Sequence, residues 1–166
     1  MALDELYQEI LLDHYKHPRN KGKLEKADLD VELKNPFCGD EILLTVRFDQ
    51  DKISDVAFEG HGCVISQASA SLMTEKIKGL TIAEAENVIE RFNRMLKKES
   101  DEHGDHPCGP SCRHHQSEEE LDELNALKGV CEYPSRIKCA MLAWRSLMQA
   151  LKNHKESIPR VKQPSM

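Results

Sequence analysis

Between Leu29 and Phe58 the apolar residues fall on alternate positions, and after Gly62 they recur every third or fourth residue. That change of period limits the fold of this chain more than any other feature. Leu29, Val31 and Leu33 alternate with charges; Ile42, Leu44, Val46 and Phe48 repeat the pattern; Ile53, Val56 and Phe58 form a third, less regular set. Asp49-Gln50-Asp51-Lys52 reads as a hairpin turn, which makes the last two strands antiparallel neighbours. Beyond Gly62 the residues Ile65, Ala68, Leu72, Met73 and Ile77 share one helical face, with Gly79 as its stop. Thr81-Ile82-Ala83-Glu84 is a capping box that opens a helix along Ala85, Val88, Ile89, Phe92 and Leu96. A second box, Ser117-Glu118-Glu119-Glu120, leads a short helix of Leu121, Leu124 and Leu127 ending at Gly129. The last helix starts near Ser135 and aligns Ile137, Ala140, Met141, Trp144, Leu147, Met148 and Leu151. Ahead of the strands, Leu3, Leu6, Tyr7, Ile10, Leu11 and Tyr15 give a first helix that stops at His17-Pro18.

Strands first and helices afterwards predict an α+β fold: a small antiparallel three-stranded sheet with helices packed on one face. The 166 residues suffice for one domain with a real core, expected over 1–155, with a hydrophilic insertion at about 98–117. The segment 156–166, with Pro159 and Pro164, is expected to be a disordered tail.

The net charge of −6 argues against nucleic acid or an anionic membrane as the main partner. No apolar run reaches the length of a membrane span, and the first helix is amphipathic and charged rather than a signal peptide. A cytoplasmic location is expected, with the six cysteines reduced, so they point to metal or sulfur chemistry before disulfides. No glycine-rich phosphate loop is present, so no use of ATP is expected.

Four residues stand at junctions between these elements. Cys38 and Asp40 lie in the turn that opens a strand, Cys63 follows Gly60-His61-Gly62 at the mouth of a helix, and Cys139 lies in the first turn of another. Helix N-termini carry partial positive charge and unsatisfied N–H groups, which stabilise a thiolate. Three thiolates and a carboxylate make a set of four ligands suited to tetrahedral zinc. They are far apart in sequence and form no zinc knuckle, so two readings stand open: one shared metal site, or separate buried cysteines of the ordinary structural kind. Cys139 falls about 100° from the centre of its helix's apolar stripe, at the edge of the buried face. A core cysteine would sit more naturally at position 140 or 141.

The strings Asn35-Pro36-Phe37-Cys38-Gly39-Asp40, Gly60-His61-Gly62-Cys63-Val64-Ile65-Ser66-Gln67-Ala68-Ser69-Ala70-Ser71 and Arg136-Ile137-Lys138-Cys139-Ala140 resemble the iron–sulfur assembly scaffold family. Asp13-His14-Tyr15-Lys16-His17-Pro18-Arg19-Asn20 is similar to that family as well, and the motifs keep its order over roughly residues 3 to 152. Within the family the chain looks like the SUF-type branch. The scaffold branch has a histidine immediately before the last cysteine, where this chain has Lys138. The proline-rich segment which that branch offers its chaperone is replaced by Tyr133-Pro134-Ser135-Arg136. The resemblance implies zinc on Cys38, Asp40, Cys63 and Cys139, and Cys38 as the residue that accepts sulfane sulfur as a persulfide. It implies two classes of partner: a SufS-like cysteine desulfurase, and a downstream SUF scaffold or other iron–sulfur acceptor. Arg136, one helical turn before Cys139, either supports the site or is a solvated first-turn arginine. An alternative reading is a scaffold that assembles a [2Fe–2S] cluster on the same residues and passes it on, with aspartate as a labile ligand.

One segment lies outside that pattern. His103, His106, Cys108, Cys112, His114 and His115 crowd a short hydrophilic stretch with Gly and Pro at its turns. It reads either as a second metal site, or a dithiol, or as a metal-sticky surface loop. Cys131, alone in the turn after Gly129, reads as incidental, and His61 between two glycines as solvent-facing.

Overall fold

The computed structural model describes residues 2–35, 39–97 and 122–162. In chain order these form α1 (Ala2–Lys16), β1 (Leu29–Asn35), β2 (Asp40–Asp49), β3 (Lys52–His61), α2 (Val64–Ile77), α3 (Ile82–Lys97), a 3₁₀ helix (Asp122–Glu132) and α4 (Pro134–Lys162). The strands make an antiparallel meander ordered β1-β2-β3. Val31 pairs with Leu44, Leu44 with Phe58 and Val46 with Val56, and all of these side chains are buried under the helices. Glu32 and Glu59 flank Leu43 on the other face, and both are exposed. The α+β architecture expected from the period change is therefore the one observed. Among the described residues no helix is long and apolar enough to cross a membrane.

Local chemistry sets the boundaries. Gln50 takes a positive φ of 55° in the β2–β3 hairpin. Thr81 and Glu84 exchange the reciprocal bonds of a capping box, Thr81 N–H to Glu84 Oε2 at 3.1 Å and Glu84 N–H to Thr81 Oγ1 at 3.2 Å. The outer edge of β3 is covered by residues 20–22: Gly22 N–H donates to the Phe58 carbonyl at 2.7 Å, and Phe58 N–H to that of Asn20 at 3.0 Å. In the core, Trp144 stacks on Phe92 with ring centroids 4.2 Å apart. Its indole N–H donates to Ser69 Oγ at 3.0 Å, and Ser69 donates to the Ala140 carbonyl at 2.6 Å. These buried bonds bolt α2 to α4 beside Cys139.

Three features differ from the sequence reading. The segment expected to end as a short helix at Gly129 continues as a 3₁₀ helix to Glu132, so Cys131 falls within it rather than in a turn. Leu124, Leu127 and Val130 are buried at three-residue spacing, and a three-residue turn stacks such positions in line on one face. The last helix runs on to Lys162, past Glu156 where the tail was expected to begin. In α1, Leu6 and Tyr15 are exposed, whereas Tyr7, Ile10 and Leu11 are partly buried and His14 fully so. The inner face is thus 7, 10, 11 and 14, and its innermost member is polar.

The meander gathers the site. Asn35 at the end of β1 pairs with Asp40 at the start of β2, and the adjoining Glu41 pairs with His61 at the end of β3. The end of β1, the start of β2 and the chain leaving β3 for α2 therefore lie at one end of the sheet.

Candidate metal centre

Asp40, Cys63 and Cys139, from β2, the mouth of α2 and the first turns of α4, present one ligand atom each within 4.8 Å of one another. Asp40 is wholly buried although it is a carboxylate. Its Oδ1 accepts the Cys63 backbone N–H at 2.9 Å, and its Oδ2 lies 3.8 Å from Cys63 Sγ. Cys63 is the N-cap residue of α2, extended at φ −71° and ψ 168°, and its thiol makes no capping bond. Asp40 supplies an acceptor at the helix mouth instead, and the sulfur stays available. Ser66 Oγ donates to the Cys63 carbonyl at 3.1 Å. Cys139 is 1% exposed, more enclosed than the edge position expected from the helical wheel, because Asp40 and Cys63 close over that edge.

The two cysteine sulfurs act on Arg136. Charge attraction from Cys63 first, then hydrogen bonding to Cys139, hold its guanidinium above its ordinary range. Arg136 is exposed, so the positive charge that the sulfurs attract lies at the protein surface. At the rim, Lys34 Nζ lies 3.3 Å from Glu41, and His61 Nδ1 lies 3.8 Å from the same carboxylate. His61 is exposed, in keeping with the sequence reading.

The donor set fits zinc. A tetrahedral zinc ion about 2.3 Å from sulfur and about 2.1 Å from oxygen separates the two donors by roughly 3.6 Å. The Cys63–Asp40 spacing of 3.8 Å is close to that. Of the residues singled out in the sequence, these three and Arg136 come together. Cys38 lies outside the described residues, as do His103, His106, Cys108, Cys112, His114 and His115 of the insertion and the Ser117 capping box.

Sequence reasoning gave the glycines before Cys63 no role of their own in the site. Gly62 does not have a positive φ. A Cβ there would collide with Asp40 Oδ1, approach Asp40 Cγ to 2.9 Å and meet Ser66 Oγ at 2.5 Å. Gly60 has both constraints, a φ of +137° and a Cβ position that collides with the Glu41 carbonyl. The signal was a Gly-x-Gly directly before a cysteine, but its meaning depends on a carboxylate more than twenty residues upstream.

A family model for the NifU-like N terminal domain matches residues 6–109. The zinc-dependent sulfurtransferase SufU of Bacillus subtilis is 44% identical over 146 residues, covering 87% of this chain and 88% of that protein. The iron–sulfur cluster assembly scaffold protein IscU of Streptococcus pyogenes is 40% identical over 150 residues, covering 90% and 85%. Among solved structures, a putative iron–sulfur cluster assembly scaffold protein for the SUF system from Fervidobacterium islandicum superposes with a TM-score of 0.72. It is 38% identical, with 86% of this chain and 94% of that one covered.

Proposed function

The chain belongs to the NifU-like N-terminal domain family, and we propose that it is a zinc-dependent sulfurtransferase that accepts persulfide sulfur from a SufS-like cysteine desulfurase for iron–sulfur cluster assembly. The observation that carries this reading is the convergence of Asp40, Cys63 and Cys139 at the end of the sheet where Asn35 pairs with Asp40, two residues after Cys38 in sequence. Cys38, Asp40, Cys63 and Cys139 would together hold a zinc ion, and zinc would keep thiols ionised without redox change. A site closed for structure alone would use four strong ligands, and a carboxylate among thiolates is the weak one.

Cys38 is the sulfur acceptor. Its thiolate attacks the outer sulfur of the desulfurase's cysteine persulfide, a new S–S bond forms, and the old one breaks. The desulfurase cysteine leaves as a thiolate and Cys38 keeps the transferred sulfur, with no net gain or loss of electrons. Arg136 supplies positive charge at the surface beside Cys63 and Cys139, where it offsets negative charge on sulfur. Asp40 fixes the mouth of α2 through one oxygen and offers the other to the metal. The sulfur then passes to a downstream SUF scaffold or another iron–sulfur acceptor. The 44% identity to a relative named as a zinc-dependent sulfurtransferase supports this reading.

A second reading, a scaffold that assembles and transfers a [2Fe–2S] cluster, draws support from the 40% identical relative named as a scaffold. Lys138 stands immediately before Cys139, where the scaffold branch has a histidine, and favours sulfur transfer. The deciding experiment measures alanine production by a cysteine desulfurase with and without zinc-loaded protein, wild type and Cys38→Ala. Stimulation by wild type alone is expected. No stimulation, together with an iron–sulfur chromophore when iron and sulfide are supplied, would move the assignment to the scaffold.

A further inference from the structure

Across the helical layer, a second set of donors meets where α1, α2 and the 3₁₀ helix join. His14 of α1 is 1% exposed, yet its ring points Nε2 at two carboxylates, Glu123 Oε2 at 3.1 Å and Glu75 Oε2 at 3.8 Å. The three ligand atoms lie within 4.8 Å of one another. The glutamate side chains are about half exposed, at 52% and 59%, so the cup is walled by protein at the imidazole and open to water at the carboxylates.

The opposite ring nitrogen is held from outside this triad. His14 Nδ1 lies 2.8 Å from Ser71 Oγ, and Ser71 Oγ in turn accepts the Arg19 backbone N–H at 2.8 Å. A hydroxyl can donate or accept, so it suits either neutral tautomer of His14. With the proton on Nε2, the ring donates to Glu123. With the proton on Nδ1, the ring donates to Ser71 and turns a bare Nε2 lone pair toward two carboxylate oxygens. That second arrangement leaves a place for a cation among the three atoms, on carboxylates that also attract the Arg19 guanidinium. It is also the usual build of a metal-binding histidine, whose far nitrogen donates to an outer partner that fixes the ring.

We propose that His14, Glu75 and Glu123 form a second divalent-cation site, distinct from the cysteine site and open to a harder class of metal. One imidazole and two carboxylates, with water completing the shell, accept hard and borderline divalent ions such as Mn²⁺, which a thiolate site disfavours. The ligands come from three elements, and the 3₁₀ helix that carries Glu123 leads directly into Pro134 and the first turns of α4. Along α2 the four-residue ladder Cys63, Gln67, Ser71 and Glu75 runs from the sulfur site to this one. A cation here therefore clamps α1 to the helix that opens with the sulfur site and to the segment that delivers Cys139.

The test uses the full-length, zinc-loaded protein titrated with Mn²⁺ and followed by the loss of the free-ion electron paramagnetic resonance signal. One Mn²⁺ per chain is expected, with modulation from an imidazole nitrogen on the bound ion. The double variant Glu75→Gln, Glu123→Gln changes only half-exposed side chains; it should keep its zinc and its far-ultraviolet circular dichroism while Mn²⁺ affinity falls at least tenfold. His14→Asn risks the packing of α1, so the glutamine pair carries the test. Absence of Mn²⁺ binding up to millimolar concentration, or binding unchanged in the double variant, would overturn the site. Neither result bears on sulfur acceptance at Cys38, which the alanine assay reads separately.

Discussion

Asp40 binds the backbone of Cys63 rather than merely lying near its sulfur: Oδ1 takes the Cys63 N–H at 2.9 Å while Oδ2 stays 3.8 Å from Sγ. One side chain thus sets the mouth of α2 and contributes to the donor set. The two roles separate by substitution. Asp40→Asn keeps a carbonyl acceptor for the N–H but loses the anionic donor, so zinc affinity should fall with the fold intact. Asp40→Ala loses both, adding destabilisation of about 1–2 kcal/mol from the missing bond at the helix N-terminus. Zinc content and thermal melts on the two variants check this; equal melting temperatures would remove the capping role.

Gly62→Ala places a methyl against the Asp40 carboxylate and Ser66 Oγ. The carboxylate must turn away, so zinc binding should be lost out of proportion to the change in stability. Gly79→Ala is the comparison, because Gly79 has a φ of +87° but open space for a Cβ. It should cost about 1 kcal/mol of stability through backbone strain while zinc stays at wild-type stoichiometry. A Gly62→Ala protein with full zinc would contradict the geometry.

The cysteines should divide by role. Cys38→Ala should abolish sulfur acceptance and leave most of the fold. Cys63→Ala and Cys139→Ala should lose both metal and stability, because Asp40 is buried against them. Persulfide labelling after incubation with a desulfurase, run beside metal analysis, distinguishes the two outcomes. Retained activity in all three would reject the site.

Ser69 tests the bolt between α2 and α4. Ser69→Ala leaves the Trp144 indole N–H and the Ala140 carbonyl without their hydroxyl partner in the core. The orphaned indole N–H costs about 1–3 kcal/mol where water cannot replace the bond, while the Ala140 carbonyl keeps its place in the helical ladder. The melting temperature should drop clearly in both apo and zinc-loaded protein. An unchanged melt would mean that the core repacks around the methyl.

Arg136→Ala should leave zinc bound and slow sulfur acceptance, because the exposed guanidinium faces Cys63 and Cys139 without a part in the core. Arg136→Lys, which keeps the charge, should recover part of the rate. A desulfurase assay at varied ionic strength checks this, and the Ala variant should show the weaker salt dependence.

Much of this was written in local pattern. Period-two segments gave three strands and period-3.6 segments gave the helices, because burial of one face dictates which positions are apolar. The Thr81–Glu84 box and the Gln50 turn were legible because their bonds lie within a few residues. His14 was not. It stands seven residues after Tyr7 on the stripe Tyr7, Ile10, Leu11, where a polar residue reads as a break in the apolar face. Only Ser71, Glu75 and Glu123, which are 57 or more residues away, make its burial affordable. The 3₁₀ helix was misjudged for a related reason: three-residue and four-residue spacings of leucine look alike over so short a stretch.

The sequence by itself determined the elements, their order, the α+β class and the residue types able to hold a metal, since these follow from side-chain periodicity and ligand chemistry. Tertiary structure alone decided that Asp40, Cys63 and Cys139 meet, because β2, α2 and α4 reach one end of the sheet only when the meander pairs Asn35 with Asp40 and Glu41 with His61. It also decided that Gly62 must lack a side chain and that His14 is the buried centre of a polar junction. Those are consequences of atoms brought within a few ångströms by long-range packing, and no local pattern encodes the distance between residues that the chain separates by dozens of positions.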